Sequence, residues 1–278
     1  MPDTPSTTPP EDRRIPAAEA LPEHPDEMSD IAHIRVSDLT AALRLGWHDF
    51  RRAPSFGLLF SAVYVAGGLV LAAVAFASGR DWWLIPFILG FPLIAPFAAV
   101  GLYEVSRRIE AGESLSWPQV SRIVFAQKDR QIPSMGMVIL LLFMFWVFVA
   151  HTIFALFMGV SALTNITSSA EVLFQGRGLA MLTVGTLIGA GFGAVLFSFT
   201  VVGLPLLLDR EVDFITAIIT SVRAVAENLG TMLIWAAMIT GLLVLGMIPA
   251  FLGLFITLPI LGHASWHVYR RLMPDRAP

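Results

Sequence analysis

The chain has no cysteine among its 278 residues. That excludes disulfides, thiolate metal sites and cysteine nucleophiles, and leaves the redox compartment open. Charge is scarce too. Asp, Glu, Lys and Arg make up 14% of the residues, where a soluble domain carries about 25%. There is no phosphate loop, no nucleophile elbow and no intramembrane pair of aspartates, so no catalytic set is recognisable and no enzyme activity is expected. The basic residues are not interleaved with aromatics as on a nucleic-acid surface. Membrane lipids are their natural counter-charge, and no nucleic-acid partner is expected.

What fills the chain instead is hydrocarbon. The sequence is 56% hydrophobic, with a mean hydropathy of +0.73. Ile139–Phe148 reads ILLLFMFWVF without one charge. About twenty such residues in a helix cross roughly 30 Å of hydrocarbon. Helices of this kind are expected at 57–77, 82–103, 135–160, 179–208, 229–247 and 249–269. Only Gly246 and Pro249 separate the last two, and one long kinked helix would reduce the count to five. The distribution of positive charge favours six. With six spans, sixteen of the eighteen basic residues fall on one side, leaving Arg80 and Arg177 on the other. Both termini are then cytoplasmic. Trp82 and Trp83 fit the outer interface belt, and Trp47, Trp117 and Trp266 the inner one.

Met1–Asp30 is rich in proline and acid and has no apolar core. It fails the signal-peptide pattern and cannot bury enough surface to fold. The expected organisation is a disordered cytoplasmic tail at 1–33, a membrane domain at 34–273 and a short cytoplasmic end at 274–278.

Three segments look alike: Val36–Pro54, Leu115–Pro133 and Val212–Gly230. Each opens near Ser or Asp, a residue suited to an N-cap. Each sets apolar positions at helical spacing beside basic ones, ends at Pro or Gly and leads into a hydrophobic run. Such a helix lies in the interface plane with its basic face on anionic headgroups. Pro96 and Val105 followed by Arg107-Arg108 also match Pro259 and Val268 followed by Arg270-Arg271, with eight residues between Pro and Val in both. The fold expected is an all-α polytopic membrane bundle of six transmembrane helices and three interfacial amphipathic helices, with a three-fold internal repeat.

Ionisable groups at membrane depth are functional candidates, because burying them is costly. His151 sits sixteen residues past Met135, about 24 Å along the helix. His263 and His267 lie four residues apart and share one helical face. Glu104 takes the place of His267 in the repeat alignment. A His-x-x-x-His pair can bind a metal or haem, or it can be a hydrogen-bonding cluster with Trp266. His151 can equally bond to a neighbouring helix. Pro205 is expected to kink the fourth span, with Asp209 and Arg210 pairing or capping at its end. Gly185, Gly189 and Gly193 form a small-residue ladder suited to close helix packing. Thr183, Thr186, Ser198 and Thr200, with His151, could line part of a polar path.

The motifs LPLLLDR (Leu204–Arg210), TSVRAVAEN (Thr220–Asn228) and LGHASWHVYRR (Leu261–Arg271) resemble an uncharacterised bacterial family of predicted integral membrane proteins. Some members carry a cytochrome c oxidase subunit label. The resemblance runs from about Ile34 to Leu272. It implies that Pro205, Asp209, Arg210, Ser221, Arg223, Asn228, Trp235, Pro259, Gly262, His263, Trp266, His267 and Arg271 belong to the family signature, and it assigns no roles. A haem–copper catalytic subunit needs six histidines on about twelve spans, and this chain cannot supply them. The expectation is a non-catalytic protein of the bacterial inner membrane, accessory to other membrane proteins or lipids, with oxidase subunits among the candidate partners. No cofactor is expected. A small-solute transporter or channel, and a haem or metal protein using His263 and His267, stand as the alternatives.

Overall fold

Amphipathic and apolar helices alternate along the chain. The computed structural model describes residues 31–78, 98–159 and 176–274. The helices are α1 (Val36–Arg52), α2 (Pro54–Ser78), α3 (98–110), α4 (Trp117–Ala126), α5 (Ile132–Met158), α6 (Gly176–Thr200), α7 (Gly203–Asp209), α8 (Phe214–Glu227), α9 (Leu229–Met247) and α10 (Leu254–Leu272). A 3-10 turn, Gln127–Asp129, links α4 to α5. No strand occurs among the described residues.

Four stretches are long and apolar enough to cross a membrane: Pro54–Val74, Ile132–Met158, Gly176–Asp209 and Leu229–Met247. They correspond to the first, third, fourth and fifth spans expected. The second, with Arg80, Trp82 and Trp83, lies largely outside the described residues, as does the tail through Asp30. The expected sixth becomes α10, which is helical where expected but does not qualify as a span on length and composition. The reason is the polar second half of α10, where His263, Ser265, His267, Arg270 and Arg271 interrupt the apolar run.

α9 and α10 are separate helices, joined by a turn over residues 248–253. The turn holds Ala250 and Phe251 at φ 50° and 64°, a left-handed backbone that costs non-glycine residues energy. Gly253 closes it, since a Cβ there would fall 2.7 Å from the Gly246 carbonyl oxygen.

The fourth span breaks, but not at Pro205 itself. α6 ends at Thr200 and α7 begins at Gly203, with Pro205 in the first turn of α7. Proline has no N–H for the carbonyl four residues back and its ring clashes with that carbonyl, so the disruption falls one turn upstream, at Val201 and Val202. The Val202 amide leaves the helical ladder and donates instead to the Ser221 hydroxyl of α8 at 3.1 Å.

The core gathers at the arginine-bearing end of the bundle, around the second half of α10. Leu261, Ala264, Trp266, Val268, Tyr269 and Leu272 are all buried there. α3 runs beside α10 in the same direction, with Leu102 against Gly262 and Glu110 against Trp266. α1 runs the opposite way, from Asp38 near Arg271 to Gly46 over Ile260. α4 packs Val120 with Ala53, Phe56 and Val105. α8 packs on α6 and α7. Each amphipathic helix therefore rests on the end of a long helix from an earlier stretch, except α1, which closes on α10, the last of the described helices.

Candidate functional site

α1 is cut by two opposite faces. Leu39, Ala42, Gly46 and Asp49 are buried, at the i, i+3, i+7, i+10 spacing of one helical stripe. The first three are apolar or small and let α1 approach α10 closely. The fourth is a carboxylate, 2% exposed, and a buried charge needs partners.

Its partners come from α3 and α10. The Ser106 hydroxyl donates to Asp49 Oδ2 at 2.8 Å, and His267 Nε2 meets the same oxygen at 2.8 Å. Ser106 Oγ also lies 2.8 Å from His263 Nδ1. An ionised carboxylate only accepts, and a serine has one proton to give. With that proton on Asp49, His263 must donate from Nδ1, which leaves its Nε2 as a bare acceptor. That atom is buried and has no partner among the described residues.

A second buried carboxylate stands two residues from Ser106. Glu104 is fully buried and takes Arg107 Nε at 2.8 Å and Arg108 Nε at 2.6 Å. The carboxylate raises the Arg107 pKa still further, chiefly through this side-chain hydrogen bond. Arg108 also reaches Glu113 at 3.1 Å. At the tip, the Trp266 indole donates to Glu110 at 2.9 Å and the Tyr269 hydroxyl to Asp209 at 2.7 Å. Arg270 approaches Glu110 at 3.3 Å and Asp209 at 3.8 Å, and Asp209 lies 4.0 Å from Arg210. Arg271 reaches Asp38 at 3.8 Å and the His267 carbonyl at 3.2 Å. One face of α10 thus ties α1, α3 and α7 together.

The signature residues fall mostly in or beside this network. Asp209, Arg210, His263, Trp266, His267 and Arg271 are in it, and so is Glu104, the counterpart of His267 in the repeat. Pro205 is buried at the start of α7. Pro259 lies inside α10 against the Gly57 position, and Gly262 meets Leu102, where a Cβ would fall 2.5 Å from Leu102 Cδ1. Asn228 ends α8 and holds the leading segment, accepting from the Ile34 amide at 2.9 Å and donating to the Ala32 carbonyl at 3.2 Å. Trp235 is fully buried on α9. Arg223 stands apart, half-exposed and 3.8 Å from Glu227 on its own helix.

Other candidates do not join. His151 is exposed, and its Nδ1 meets the Val147 carbonyl of its own helix at 2.7 Å, so it reaches back one turn rather than to a neighbouring helix. Thr183, Ser198 and Thr200 each donate to the carbonyl four residues back. Their hydroxyls are taken up within α6. In the glycine ladder, Gly189 receives Trp146 of α5, while Gly185 and Gly193 face open space. A cavity of about 590 Å³ opens between α6 and α9, apolar apart from Tyr103, Thr200, Thr240 and Ser265.

For a metal or haem, the donor set is poorly disposed. His267 Nε2 is held by Asp49 and His263 Nδ1 by Ser106, and no group of three or more ligating side chains converges among the described residues. His263 Nε2 is without a partner among the described residues, but His263 is fully enclosed, which leaves no room for a porphyrin against it.

Residues that sequence reasoning missed are Asp49, Ser106, Glu110 and Tyr269. Asp49 had a signal: it is an acid placed on the small-residue stripe of an amphipathic helix. Ser106 and Glu110 had none, being polar residues at the end of a span.

Residues 84–209 match the model of a family described as predicted integral membrane protein (DUF2189). This is the uncharacterised membrane family that the sequence resembles. The chain is an integral membrane protein with several apolar helices. Of the three motifs that carry the resemblance, Leu204–Arg210 lies at the edge of the matched stretch; Thr220–Asn228 and Leu261–Arg271 lie beyond it. No curated protein and no solved structure matches the chain.

Proposed function

We propose that the protein is a non-catalytic scaffold of the bacterial inner membrane, accessory to other integral membrane proteins or to lipids. The observation that carries this reading is the contrast between its two ends. At the arginine-bearing end, α10 is locked by buried carboxylates, imidazoles and arginines that bond mainly to one another. Toward the other end the spans bury little: beyond Ile139 only Ile153 of α5 is buried, and beyond Trp235 only Gly246 of α9. Less than a fifth of the most apolar window is buried in Pro54–Val74, Ile132–Met158 and Leu229–Met247, against 44% in Gly176–Asp209. Helix faces left open in this way can be covered by another membrane protein or by lipid. A respiratory oxidase is the first partner to look for, because some family members carry that label.

The test is purification of the tagged protein from native membranes in gentle detergent, with mass spectrometry of what accompanies it. Oxidase or other membrane subunits in near-stoichiometric amount support the reading. A chain that arrives with neither protein nor lipid overturns it. Transport is less well supported, because three of the four hydroxyls of α6 that could have lined a path, those of Thr183, Ser198 and Thr200, bond to their own helix.

The topology proposed is six spans with both termini cytoplasmic. The segregation of basic residues supports it, as does the turn that separates α9 from α10. The packing of α1 on α10, α4 on α3 and α8 on α7 is what three similar units arranged in a ring would produce. Since the chain has no cysteine, single cysteines at Gly112, Ala250 and Arg276 report sidedness cleanly. In intact cells an impermeant maleimide should label only the second. Labelling at 276 instead would favour five spans.

A further inference from the structure

Seven of the described arginines are paired with acids; Arg35, Arg122 and Arg177 stand singly without such a partner among the described residues, and only α1 carries three unpaired ones together. Arg107, Arg108, Arg130, Arg210, Arg223, Arg270 and Arg271 each lie within 4.0 Å of a carboxylate. Arg44, Arg51 and Arg52 are exposed and have no carboxylate partner among the described residues. With His48 they occupy positions i, i+4, i+7 and i+8 of α1, one continuous stripe. It is turned away from the buried stripe of Leu39, Ala42, Gly46 and Asp49. The acids that could neutralise it are engaged elsewhere. Asp38 takes the Arg35 amide and Arg271, Asp49 is held by Ser106 and His267, and Glu104, Glu110 and Glu113 serve α3 and α10.

The C-terminal end of the stripe adjoins an apolar span. Arg52 is two residues before Pro54, where the span Pro54–Val74 begins, so it lies within about 3 Å of the start of the apolar run. Trp47 projects beside the stripe, 44% exposed and 5.9 Å from the Phe50 ring. An amphipathic aromatic at this level marks the headgroup layer.

We propose that this stripe of α1 binds the headgroups of anionic phospholipids, with Arg44, Arg51 and Arg52 as phosphate ligands and Trp47 as the interfacial anchor. The inference rests on the membrane-scaffold reading and names its lipid and its residues. Guanidinium groups pair with phosphate through two parallel hydrogen bonds. Each basic residue at a membrane surface strengthens attachment to anionic lipid by about fivefold.

The test is native mass spectrometry of the full chain in detergent titrated with phosphatidylglycerol or phosphatidylcholine. The wild type should retain phosphatidylglycerol in preference. The triple variant Arg44→Gln/Arg51→Gln/Arg52→Gln should lose at least tenfold of that preference while melting at the wild-type temperature, since the three side chains support no packing. Arg177→Gln should leave it unchanged. Equal retention of both lipids by the wild type, or equal loss in Arg177→Gln, overturns the proposal. Displacement of the effect by millimolar inorganic phosphate would make the site one for free phosphate and overturns the lipid assignment. So would a phosphatidylglycerol preference that emerges only in Glu23→Gln/Asp26→Asn/Glu27→Gln, which would give the stripe to the acidic leading segment. None of these outcomes touches co-purification of a protein partner, which depends on the opposite end of the spans.

Discussion

Gly46 lies so close to Ala264 that a Cβ on the glycine would stand 2.7 Å from the Ala264 amide nitrogen and 2.6 Å from the Ile260 carbonyl oxygen. Both obstacles are backbone, and neither can rotate away. The approach of α1 to α10, and with it the reach of Asp49 to His267, depends on the missing side chain.

Gly46→Ala should therefore destabilise the protein by about 1–3 kcal/mol, the usual penalty for overpacking. Gly193→Ala meets nothing within 4 Å and should be neutral or slightly stabilising, because alanine is the better helix former. Thermal unfolding of the two variants in one detergent compares them directly. Equal melting temperatures would remove the close-approach argument.

Asp49→Ala strands two buried partners, the Ser106 hydroxyl and His267 Nε2. Breaking a buried pair from one side costs about 3–5 kcal/mol. Asp49→Asn keeps an acceptor in place and should cost less. Denaturation midpoints and expression levels should rank wild type, Asn and Ala in that order.

The Ser221 hydroxyl is the acceptor for the Val202 amide, which the Pro205 break has taken out of the helical ladder. Ser221→Ala leaves that buried N–H unpaired, at a cost of about 1–3 kcal/mol. Ser221→Thr preserves the oxygen. Hydrogen exchange at the Val202 amide should speed up in the alanine variant and change little in the threonine one.

Asp213 caps α8, accepting from the Ile215 and Thr216 amides and from the Thr216 hydroxyl. These bonds, the Thr216 hydroxyl foremost, lower its pKa below the ordinary 3.8. A carboxyl whose folded pKa is depressed stabilises the fold above its unfolded pKa, and that contribution fades as pH falls through the folded value. Asp213→Ala should cost about 1 kcal/mol near neutrality, and the gap from wild type should close below about pH 4. A gap that stays constant to pH 3 would show that the cap is not titrating.

The sequence made the apolar spans legible because their signal is local. Leu229–Met247 is a run without charge, and its ends in the structure coincide with those expected. Asp213 at the start of α8 was readable for the same reason, since a cap and its helix are neighbours in the chain. The exact place of the break before Pro205 was not, because it depends on Ser221 offering an acceptor to a displaced amide. The site was half legible. His263 and His267 stood out as four-spaced histidines on an otherwise apolar helix. What they bond to did not, since Asp49 is 218 residues from His267 and Ser106 is 157 from His263. Pairs at that distance leave no pattern in a single sequence; only the packing of α1 and α3 against α10 brings them together.

The position of α10 has a consequence for how the protein is made. Chains emerge from the ribosome N-terminus first, so α1 is synthesised about two hundred residues before its principal neighbour, α10. Until α10 arrives, Asp49, Glu110 and Asp209 lack partners they have in the finished fold, and an unpaired group destined for burial disfavours closure. The arginine-bearing end can assemble only after α10 has been translated. A ribosome that stalls before Leu254 would release every span seen in the described residues but not the helix that joins them. Such a product would insert in the membrane without folding, a natural substrate for membrane quality control.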